Sequence, residues 1–167
     1  MNNREKNQHV REQLLHTLLR MMQEQDFDAI AVSDLAQQSG VGRASFYRNY
    51  TSKEDILQQE SARLMRAWGG NLQGQTPEEY GIALISLLDF MRKHRAFYLA
   101  LYDAKMERVV QDAIVSQFRV PADAPNEIAY RFHSFAYLLF GWVDAWIRRG
   151  MQESGAELAR LFARSGQ

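Results

Sequence analysis

The chain has 167 residues, 46% of them hydrophobic, and its 20 basic and 20 acidic side chains give a formal net charge of zero. This length and composition predict a folded protein of one or two small domains rather than a disordered chain. The absence of cysteine excludes a disulfide framework, a thiolate zinc site and a cysteine nucleophile. The balanced charge excludes a strongly basic coat for nucleic acid, so any DNA contact has to come from a local patch.

The N-terminal stretch does not resemble an export signal. Its first nine residues are polar and lack the apolar region that a signal peptide needs. The longest apolar run, residues 135–147, is too short to span a bilayer and contains Asp144. We therefore expect a cytoplasmic protein with no membrane contact.

Three helices are predicted in the first 50 residues. Residues 4–25 form the first, because apolar side chains recur there at helical spacing, namely Val10, Leu14, Leu15, Leu18, Met21 and Met22. Ser33 is predicted to cap a second helix that runs through Ser39, since its hydroxyl can accept a hydrogen bond from a first-turn amide. Gly40 supplies the unusual backbone of a tight turn, and residues 42–49 form the third helix. This spacing is typical of a helix-turn-helix, whose second helix enters the major groove.

A fourth helix is predicted to start after Ser52, which can cap it while Asp55 reaches back as a capping-box carboxylate. Its apolar side comprises Ile56, Leu57, Leu64, Met65 and Trp68, and Gly69-Gly70 ends or loosens it. A long helix that leaves the helix-turn-helix at this point would link it to the rest of the chain.

The stretch from Phe27 to Leu57 resembles the N-terminal domain of TetR-family transcriptional regulators. The matching motifs are Leu35-Ala36, Ser39-Gly40-Val41, Ser45-Phe46-Tyr47-Arg48 and Ser52-Lys53-Glu54-Asp55-Ile56-Leu57. The Phe-Tyr pair, followed at a fixed distance by Ser-Lys-Glu-Asp, makes the likeness specific. Two positions depart from the common pattern: Gly42, where Ser or Thr is usual, and Ala44, where Gly is frequent. Gly42 therefore offers no hydroxyl to a phosphate.

The resemblance implies a DNA-binding surface made by the third helix and by the starts of its neighbours. Its residues would be Ser33, Arg43, Ala44, Ser45, Tyr47, Arg48, Asn49 and Lys53. Arg43 and Ala44 would face base edges, with Ser45 near bases or a phosphate. Tyr47 would donate its hydroxyl to a phosphate. Arg48 and Asn49 would bind the DNA backbone or a base at the edge of the site. Ser33 and Lys53, each at the first turn of its helix, would bind phosphates.

The chemistry of these side chains agrees with such roles. Arg43 can bind guanine bidentately, and Ala44 is small enough for close approach or for contact with a thymine methyl. The alternative interpretation is that Tyr47 belongs to the core and that the arginines form a solvated face. Because one unit offers few phosphate contacts, we expect two copies to read the two half-sites of a palindromic operator.

The second part of the chain is predicted to be helical throughout, since its sequence has no strand pattern. Thr76 and Pro77 mark a helix start, and residues 96–101 form a short buried helix. Asp103 is predicted to cap the next helix, which runs to about Phe118 and precedes a loop.

Residues 126–149 form the most apolar predicted helix. Steps of four and three residues give it an a/d seam of Ile128, Phe132, Phe135, Leu139, Trp142 and Trp146. Its other sides are apolar too, so several of its faces have to be buried, and we expect one of them to be buried against a second subunit. Ser154 and Glu157 box a last helix over residues 154–164, and this C-terminal stretch is loosely similar to the end of many TetR-type regulators.

We therefore predict a two-fold homodimer in which the last two helices form a four-helix bundle. The expected interface residues are Phe135, Leu139, Trp142, Trp146, Leu158, Leu161 and Phe162. The predicted fold class is all-α, with a three-helix helix-turn-helix DNA-binding domain in residues 1–57. A helical effector-binding and dimerisation domain is expected in residues 58–167.

The resemblance also implies a small effector held within the C-terminal helices. The expected pocket residues are Trp68, Phe90, His94, Phe97, Tyr98, Tyr102, Phe118, Phe132, His133 and Tyr137. Such a pocket would be apolar to aromatic, with the two histidines orienting the ligand. For each aromatic, a place in the core is the simpler interpretation. Binding would release DNA only if the ligand prefers a conformation in which the third helices of the two subunits are spaced differently.

The sequence thus predicts a repressor that binds a palindromic operator as a homodimer and is released by an apolar or aromatic effector. The alternative is a co-regulator whose C-terminal domain binds a protein partner: a solid interior would favour it, and a sizeable cavity would favour the sensor. Neither a metal, a cofactor nor an enzyme activity is expected. No histidine pair has ligand spacing, and no phosphate-binding loop or nucleophile elbow occurs in the sequence.

Overall fold

The computed structural model describes residues 2–69 and 80–165. Packing divides the chain into two compact units, Met1–Glu60 and Ser61–Gln167. The helix start predicted at Thr76 and Pro77 lies outside the described residues, as does Gly70. Within the described ranges the chain forms helices and turns and no strand, which confirms the all-α fold.

The first unit contains three complete helices and the start of a fourth. These are α1 (Asn3–Glu24), α2 (Val32–Ser39), α3 (Arg43–Asn49) and α4 (Lys53–Gly69), with a 3₁₀ turn at Phe27–Ala29 between α1 and α2. All four helices contribute to one core, whose fully buried side chains include Leu14, Leu18, Leu35, Phe46, Ile56 and Leu57. α1 packs against both α2 and α3, so it supports the helix-turn-helix from behind.

The helix α2 begins two residues earlier than the sequence predicted. Its cap residue is Ala31, which has an extended backbone and no side-chain acceptor. Ser33 therefore lies inside the first turn, where its hydroxyl donates to Asp34 Oδ1 over 3.3 Å. The prediction of Ser33 as the cap was wrong, because Val32 already has helical backbone and the cap lies two positions earlier, at Ala31.

The turn between α2 and α3 depends on Gly40, as predicted. Its φ of 68° lies in the left-handed region, which L side chains rarely adopt. The amide of Gly40 donates to the carbonyl of Gln37 over 3.2 Å, and that of Val41 donates to the carbonyl of Ala36 over 3.0 Å. These two bonds close the end of α2 and leave Val41 buried beneath the turn.

The start of α4 is capped by Ser52, whose Oγ accepts a hydrogen bond from the amide of Asp55 over 3.2 Å. The carboxylate of Asp55 reaches back one residue further than expected, because its Oδ2 accepts from the amide of Thr51 over 2.8 Å. The cap is thus confirmed, and its reciprocal bond falls on Thr51.

The second unit contains the end of α4 and five further described helices. These are α5 (Tyr80–Arg92), α6 (Arg95–Asp103), α7 (Glu107–Val115), α8 (Asn126–Arg148) and α9 (Gly155–Ser165), with a 3₁₀ turn at Ser116–Phe118. α8 packs on α6 and α7, and α9 packs on α5. None of the helices in the described ranges combines the length and apolarity needed to cross a bilayer.

Asp103 is the last residue of α6 and does not cap α7, so that prediction was wrong. In the turn that follows, Lys105 takes a left-handed φ of 56°, and the amide of Met106 donates to the carbonyl of Leu101 over 2.9 Å. This turn delays the start of α7 to Glu107. The apolar spacing continues through the turn, which is why periodicity did not reveal it.

The start of α9 lies unusually close to α5. A Cβ atom on Gly155 would lie 2.8 Å from Asp89 Oδ1 and 3.3 Å from the carbonyl oxygen of Ile85. A residue without a side chain therefore favours this approach. It brings Leu158, one turn later, into the core.

Candidate functional site

The helix α3 separates an apolar side from a polar one. Phe46 is fully buried behind the helix, whereas Arg43, Ala44, Tyr47 and Arg48 are exposed. These four positions share one face because residues three and four apart are neighbours on a helix. The side chain of Tyr47 is 54% exposed, which argues against the interpretation of Tyr47 as a core residue.

Local hydrogen bonds orient the end of α3. Arg48 Nη2 donates to Ser45 Oγ over 2.5 Å, and Asn49 Nδ2 donates to the carbonyl oxygen of Ser45 over 2.9 Å. Ser45 and Asn49 are half-buried, so their contribution to an interface is smaller than that of the exposed residues. Arg43 makes no ion pair with any residue that the structure describes, and its guanidinium is available to a ligand.

Gly42 is the cap residue of α3 and provides no side-chain hydrogen bond there. Its φ of −62° is accessible to any residue, and a Cβ atom at this position would meet no atom within 4 Å. The first amides of α3 therefore lack a side-chain cap. A helix N-terminus of this kind favours an anion.

The placement of Lys53 differs from the predicted phosphate contact. Its ammonium group donates to the carbonyl oxygens of Phe27 (2.6 Å), Asp28 (3.2 Å) and Ile30 (2.9 Å). It also lies 4.5 Å from the centroid of the Phe27 ring. An ammonium has three N–H donors, so all of them are used within the protein. Ser33, by contrast, is exposed, although its hydroxyl donates a hydrogen bond to the adjacent Asp34 carboxylate.

A second group of contacts, not found from the sequence, holds the end of α3. Gln59 Nε2 donates to the carboxylate of Asp55 over 3.0 Å and to the carbonyl of Asn49 over 3.4 Å. Arg11 donates to Gln59 Oε1 over 2.8 Å and lies over the ring of Tyr50, 5.4 Å from its centroid. Burial raises the pKa of the Tyr50 hydroxyl above its usual value. The only sequence signal for these residues was their helical spacing. That spacing does not reveal a contact such as Arg11 to Gln59, which joins residues 48 positions apart.

Three of the ten predicted pocket residues are buried in the core of their unit. Trp68, Phe97 and Tyr98 are 1%, 6% and 0% exposed, so each is packed against its own neighbours. Trp68 Nε1 donates to Ser86 Oγ over 3.2 Å, and the hydroxyl of Tyr102 donates to Asp144 Oδ1 over 3.0 Å. Phe90 and His94 are half-buried ring neighbours, 5.1 Å between centroids, and Phe132 is half-buried as well.

An open groove lies between the end of α7 and the start of α8. It has a volume of about 460 Å³ and is lined by Val115, Phe118, Arg119, Val120, Ala129, Tyr130 and His133. Phe118 and His133 were predicted to belong to a pocket, and the ring of Tyr137 packs against His133 at an angle of 58° with 4.9 Å between ring centroids. Arg119, the charged residue of the groove, was missed because it lies in a segment without helical periodicity.

The predicted dimer seam on α8 faces the interior of its own unit. Phe135, Leu139, Trp146 and Leu158 are at most 6% exposed, so these side chains are buried within their own unit. Their apolar seam is already covered by neighbouring helices, including α6 and α7. Trp142 is half-buried, Leu161 is 48% exposed, and the side chain of Phe162 lies outside the described residues.

The opposite face of α8 is apolar and uncovered. Tyr130, Tyr137 and Leu138 are 72%, 45% and 47% exposed. Gly141 lies on the same face, and a Cβ atom there would meet no atom within 4 Å. This helix therefore has two apolar faces, of which the structure covers one.

In the described part of the chain, no group of three or more histidine, aspartate or glutamate side chains could hold a metal ion.

Three comparisons place these features among known proteins. Residues 14–59 match the family described as bacterial regulatory proteins, tetR family. The structure is similar to that of Lin0861 from Listeria innocua, with a TM-score of 0.76 and 17% identity, covering 99% of this chain and 93% of that chain. It also resembles a TetR-family transcriptional regulator from Streptomyces coelicolor, with a TM-score of 0.51 and 18% identity, covering 95% and 77% of the two chains. A comparison with curated protein sequences found no match.

Proposed function

Residues 14–59 match the TetR family of bacterial regulatory proteins, and from this premise we propose that the chain is a transcriptional regulator of that family. It binds a palindromic operator as a homodimer and represses transcription. It leaves the DNA when a small, largely apolar or aromatic effector binds to its C-terminal unit. Its place of action is the cytoplasm.

The observation that carries the DNA-binding role is the exposed face of α3. Arg43, Ala44, Tyr47 and Arg48 project from it, while Phe46 anchors the helix from behind. A helix in the major groove reads base edges with such side chains, and guanine is the usual partner of an arginine. Ala44 would allow close approach, and Tyr47 would donate to a phosphate.

Two copies of this surface are needed, because α3 has only seven residues and Lys53 is engaged elsewhere. The exposed face of α8, formed by Tyr130, Tyr137, Leu138 and Gly141, supports a second copy of this chain as the partner. A glycine within an exposed helix costs about 1 kcal/mol relative to alanine. Gly141 makes no contact in its own chain that accounts for this cost, and it would let two α8 helices cross closely.

The groove beside α8 supports the effector. Its volume of about 460 Å³ is within the range of sites for small molecules. Valine, phenylalanine and alanine side chains line it, together with Arg119 and His133 and without a carboxylate. We therefore propose an aromatic or apolar effector that carries one acidic group. Tyr130 lines the groove and also lies on the exposed face of α8, so a bound ligand could alter the dimer and the spacing of its α3 helices.

The second candidate is a co-regulator whose C-terminal unit binds a protein partner. The burial of Trp68, Phe97 and Tyr98 favours it, because these three predicted pocket residues pack within their own unit and do not line the groove. The two candidates share the DNA-binding surface and differ only in whether the C-terminal unit binds a small molecule or a protein.

DNA binding is tested by selecting bound sequences from random DNA and measuring their affinity by fluorescence anisotropy. We expect an inverted repeat to be enriched and to bind two chains. Enrichment of no sequence, or of a single half-site bound by one chain, would contradict the proposal. Expression of a reporter behind the enriched site would then distinguish repression from activation.

The effector site is tested with 8-anilinonaphthalene-1-sulfonate, an aromatic anion, and its neutral analogue N-phenyl-1-naphthylamine. We expect Ala129→Leu to weaken binding of both probes and Arg119→Gln to weaken the anion alone. The matched control is Arg108→Gln, because Arg108 is exposed and paired with Asp112 on α7. If neither groove variant changes probe binding while operator binding persists, the protein-partner candidate is favoured.

A further inference from the structure

We infer that Lys53 is a positioning residue, which fixes the start of α2 relative to α4 and makes no phosphate contact when the protein binds DNA. The inference rests on the proposed DNA binding and departs from the phosphate contact that family resemblance implies. Through Lys53, α4 supports α2, the first helix of the helix-turn-helix.

The three carbonyl groups around Lys53 form a matched acceptor site. They belong to Phe27, Asp28 and Ile30 and lie 2.6, 3.2 and 2.9 Å from Nζ. The carbonyl of Phe27 also closes the 3₁₀ turn by accepting from the amide of Ile30. Among the described residues, no backbone amide outside the helices donates to the carbonyls of Asp28 or Ile30. Lys53 therefore satisfies acceptors that the connection between α1 and α2 leaves open.

The aromatic ring of Phe27 completes this site. Phe27 is buried, and its ring centroid lies 4.5 Å from the Lys53 ammonium. An ammonium near an aromatic face gains electrostatic attraction in addition to its hydrogen bonds. To reach a phosphate, Lys53 would have to leave both the ring and three acceptors. Its three N–H donors cannot serve the carbonyls and a phosphate together.

The position of the site explains what it achieves. Ile30 lies two residues before Val32, where α2 begins, and Lys53 is the first residue of α4. At the other end of the helix pair, Asp55 accepts from the amide of Thr51, and Gln59 donates to the carbonyl of Asn49. The first two turns of α4 thus hold the segment before α2 and the segment after α3. Of these contacts, those of Lys53 fix the position of the start of α2.

The test compares Lys53→Met, which keeps the alkyl chain, with Arg48→Met on the exposed face of α3. Thermal unfolding is measured without DNA, and operator affinity is measured over a series of salt concentrations. We expect Lys53→Met to lower the Tm by several degrees and to weaken binding without changing the slope of log K against log salt. Arg48→Met should leave the Tm unchanged and reduce the slope by about 0.9 for each phosphate that the variant no longer neutralises.

A slope reduced in Lys53→Met as in Arg48→Met, with an unchanged Tm, would overturn the inference. Lys53→Arg provides a second test in case Lys53→Met does not fold. It keeps the charge, but a planar guanidinium cannot direct three donors at convergent carbonyls. We expect Lys53→Arg to lower the Tm and operator affinity, whereas a phosphate-binding role predicts that both survive. If the natural protein binds no DNA, the proposed function fails, and the Tm values still decide whether Lys53 holds the connection.

Discussion

Phe46 and Tyr47 are adjacent in the sequence, and their rings meet edge to face with 5.1 Å between centroids. Phe46 is fully buried, whereas Tyr47 is 54% exposed. The buried ring fixes α3 to its core and supports the exposed ring from one side. Tyr47 therefore holds its hydroxyl at a defined position on the surface without needing a hydrogen bond inside the protein.

We expect Tyr47→Phe to weaken binding to every DNA sequence by a similar factor. The substitution removes a hydroxyl that would donate to a phosphate and keeps the ring contact with Phe46. Loss of one such hydrogen bond costs about 1 kcal/mol, or roughly fivefold in affinity, per half-site. Anisotropy titrations with the operator and with random DNA measure the effect, and Arg108→Gln on α7 is the control. A loss confined to the operator would contradict a phosphate contact.

Arg43→Ala is expected to relax base preference. A bidentate contact to guanine discriminates against the wrong base by about 1–3 kcal/mol. Affinity for the selected operator should fall by that amount per half-site, while affinity for random DNA changes little. The measurement is a competition titration, in which equal losses on both DNAs would count against a reading role.

We expect Gly42→Ser to tighten DNA binding. The site has room for a side chain, since a Cβ atom there would meet nothing within 4 Å. The added hydroxyl can cap α3 or donate to a phosphate, and its effect on stability should be only a few tenths of a kcal/mol. Gly42→Ala adds the Cβ without the hydroxyl and serves as control. If Ala and Ser act alike, the hydroxyl has no role.

Tyr137→Asp should weaken the proposed homodimer without unfolding the chain. Tyr137 is 45% exposed on the uncovered face of α8, and a carboxylate buried in an apolar interface is costly. Sedimentation equilibrium should show an increase in the dimer dissociation constant of at least about tenfold, or 1.4 kcal/mol. The control is Ile82→Asp, because Ile82 is 58% exposed on α5. A natural protein that is monomeric at micromolar concentration would refute the dimer itself.

The contact between Tyr102 and Asp144 predicts a loss of stability at alkaline pH. Burial, with the hydrogen bond and charge of Asp144, raises the pKa of Tyr102 well above its usual value. Below a pH of about 10 both the folded and the unfolded chain keep this proton, so its stabilising contribution is complete. At higher pH the unfolded chain loses the proton first, and the free energy of unfolding decreases.

Urea unfolding of the natural protein and of Tyr102→Phe between pH 7 and 11 tests this expectation. At pH 7 the variant should be less stable by about 1 kcal/mol, because one hydrogen bond is removed. The difference should shrink above pH 10. Tyr130→Phe, at a side chain that is 72% exposed, should follow the natural protein throughout. Parallel curves for Tyr102→Phe and the natural protein would show that Tyr102 does not cause the loss.

The sequence predicted the helices well and their partners less well. The longest helix of the second unit was expected at residues 126–149 and spans Asn126–Arg148, because its apolar spacing is long and continuous. Periodicity does not say what covers an apolar face. Phe135 and Tyr137 both lie on apolar faces of α8, and only packing shows that the first is buried in its own chain.

The candidate DNA surface was predictable to a similar extent. The exposure of Tyr47 and Arg48 followed from the motif and from the helical spacing around Phe46. The placement of Lys53 did not, since its acceptors lie 23 to 26 residues earlier in the chain. A motif gives the residue type at a position, whereas hydrogen bonds to a distant loop depend on how that loop folds.

The close approach of α9 to α5 limits how the chain can change over evolutionary time. Any substitution of Gly155 would place an atom against the carbonyl of Ile85 and the carboxylate of Asp89. The side chain of Asp89 can rotate away, but the backbone of Ile85 cannot move without displacing α5. Codon changes at position 155 should therefore lower the stability of the folded protein, although this residue lies in neither the DNA-binding helix nor the groove.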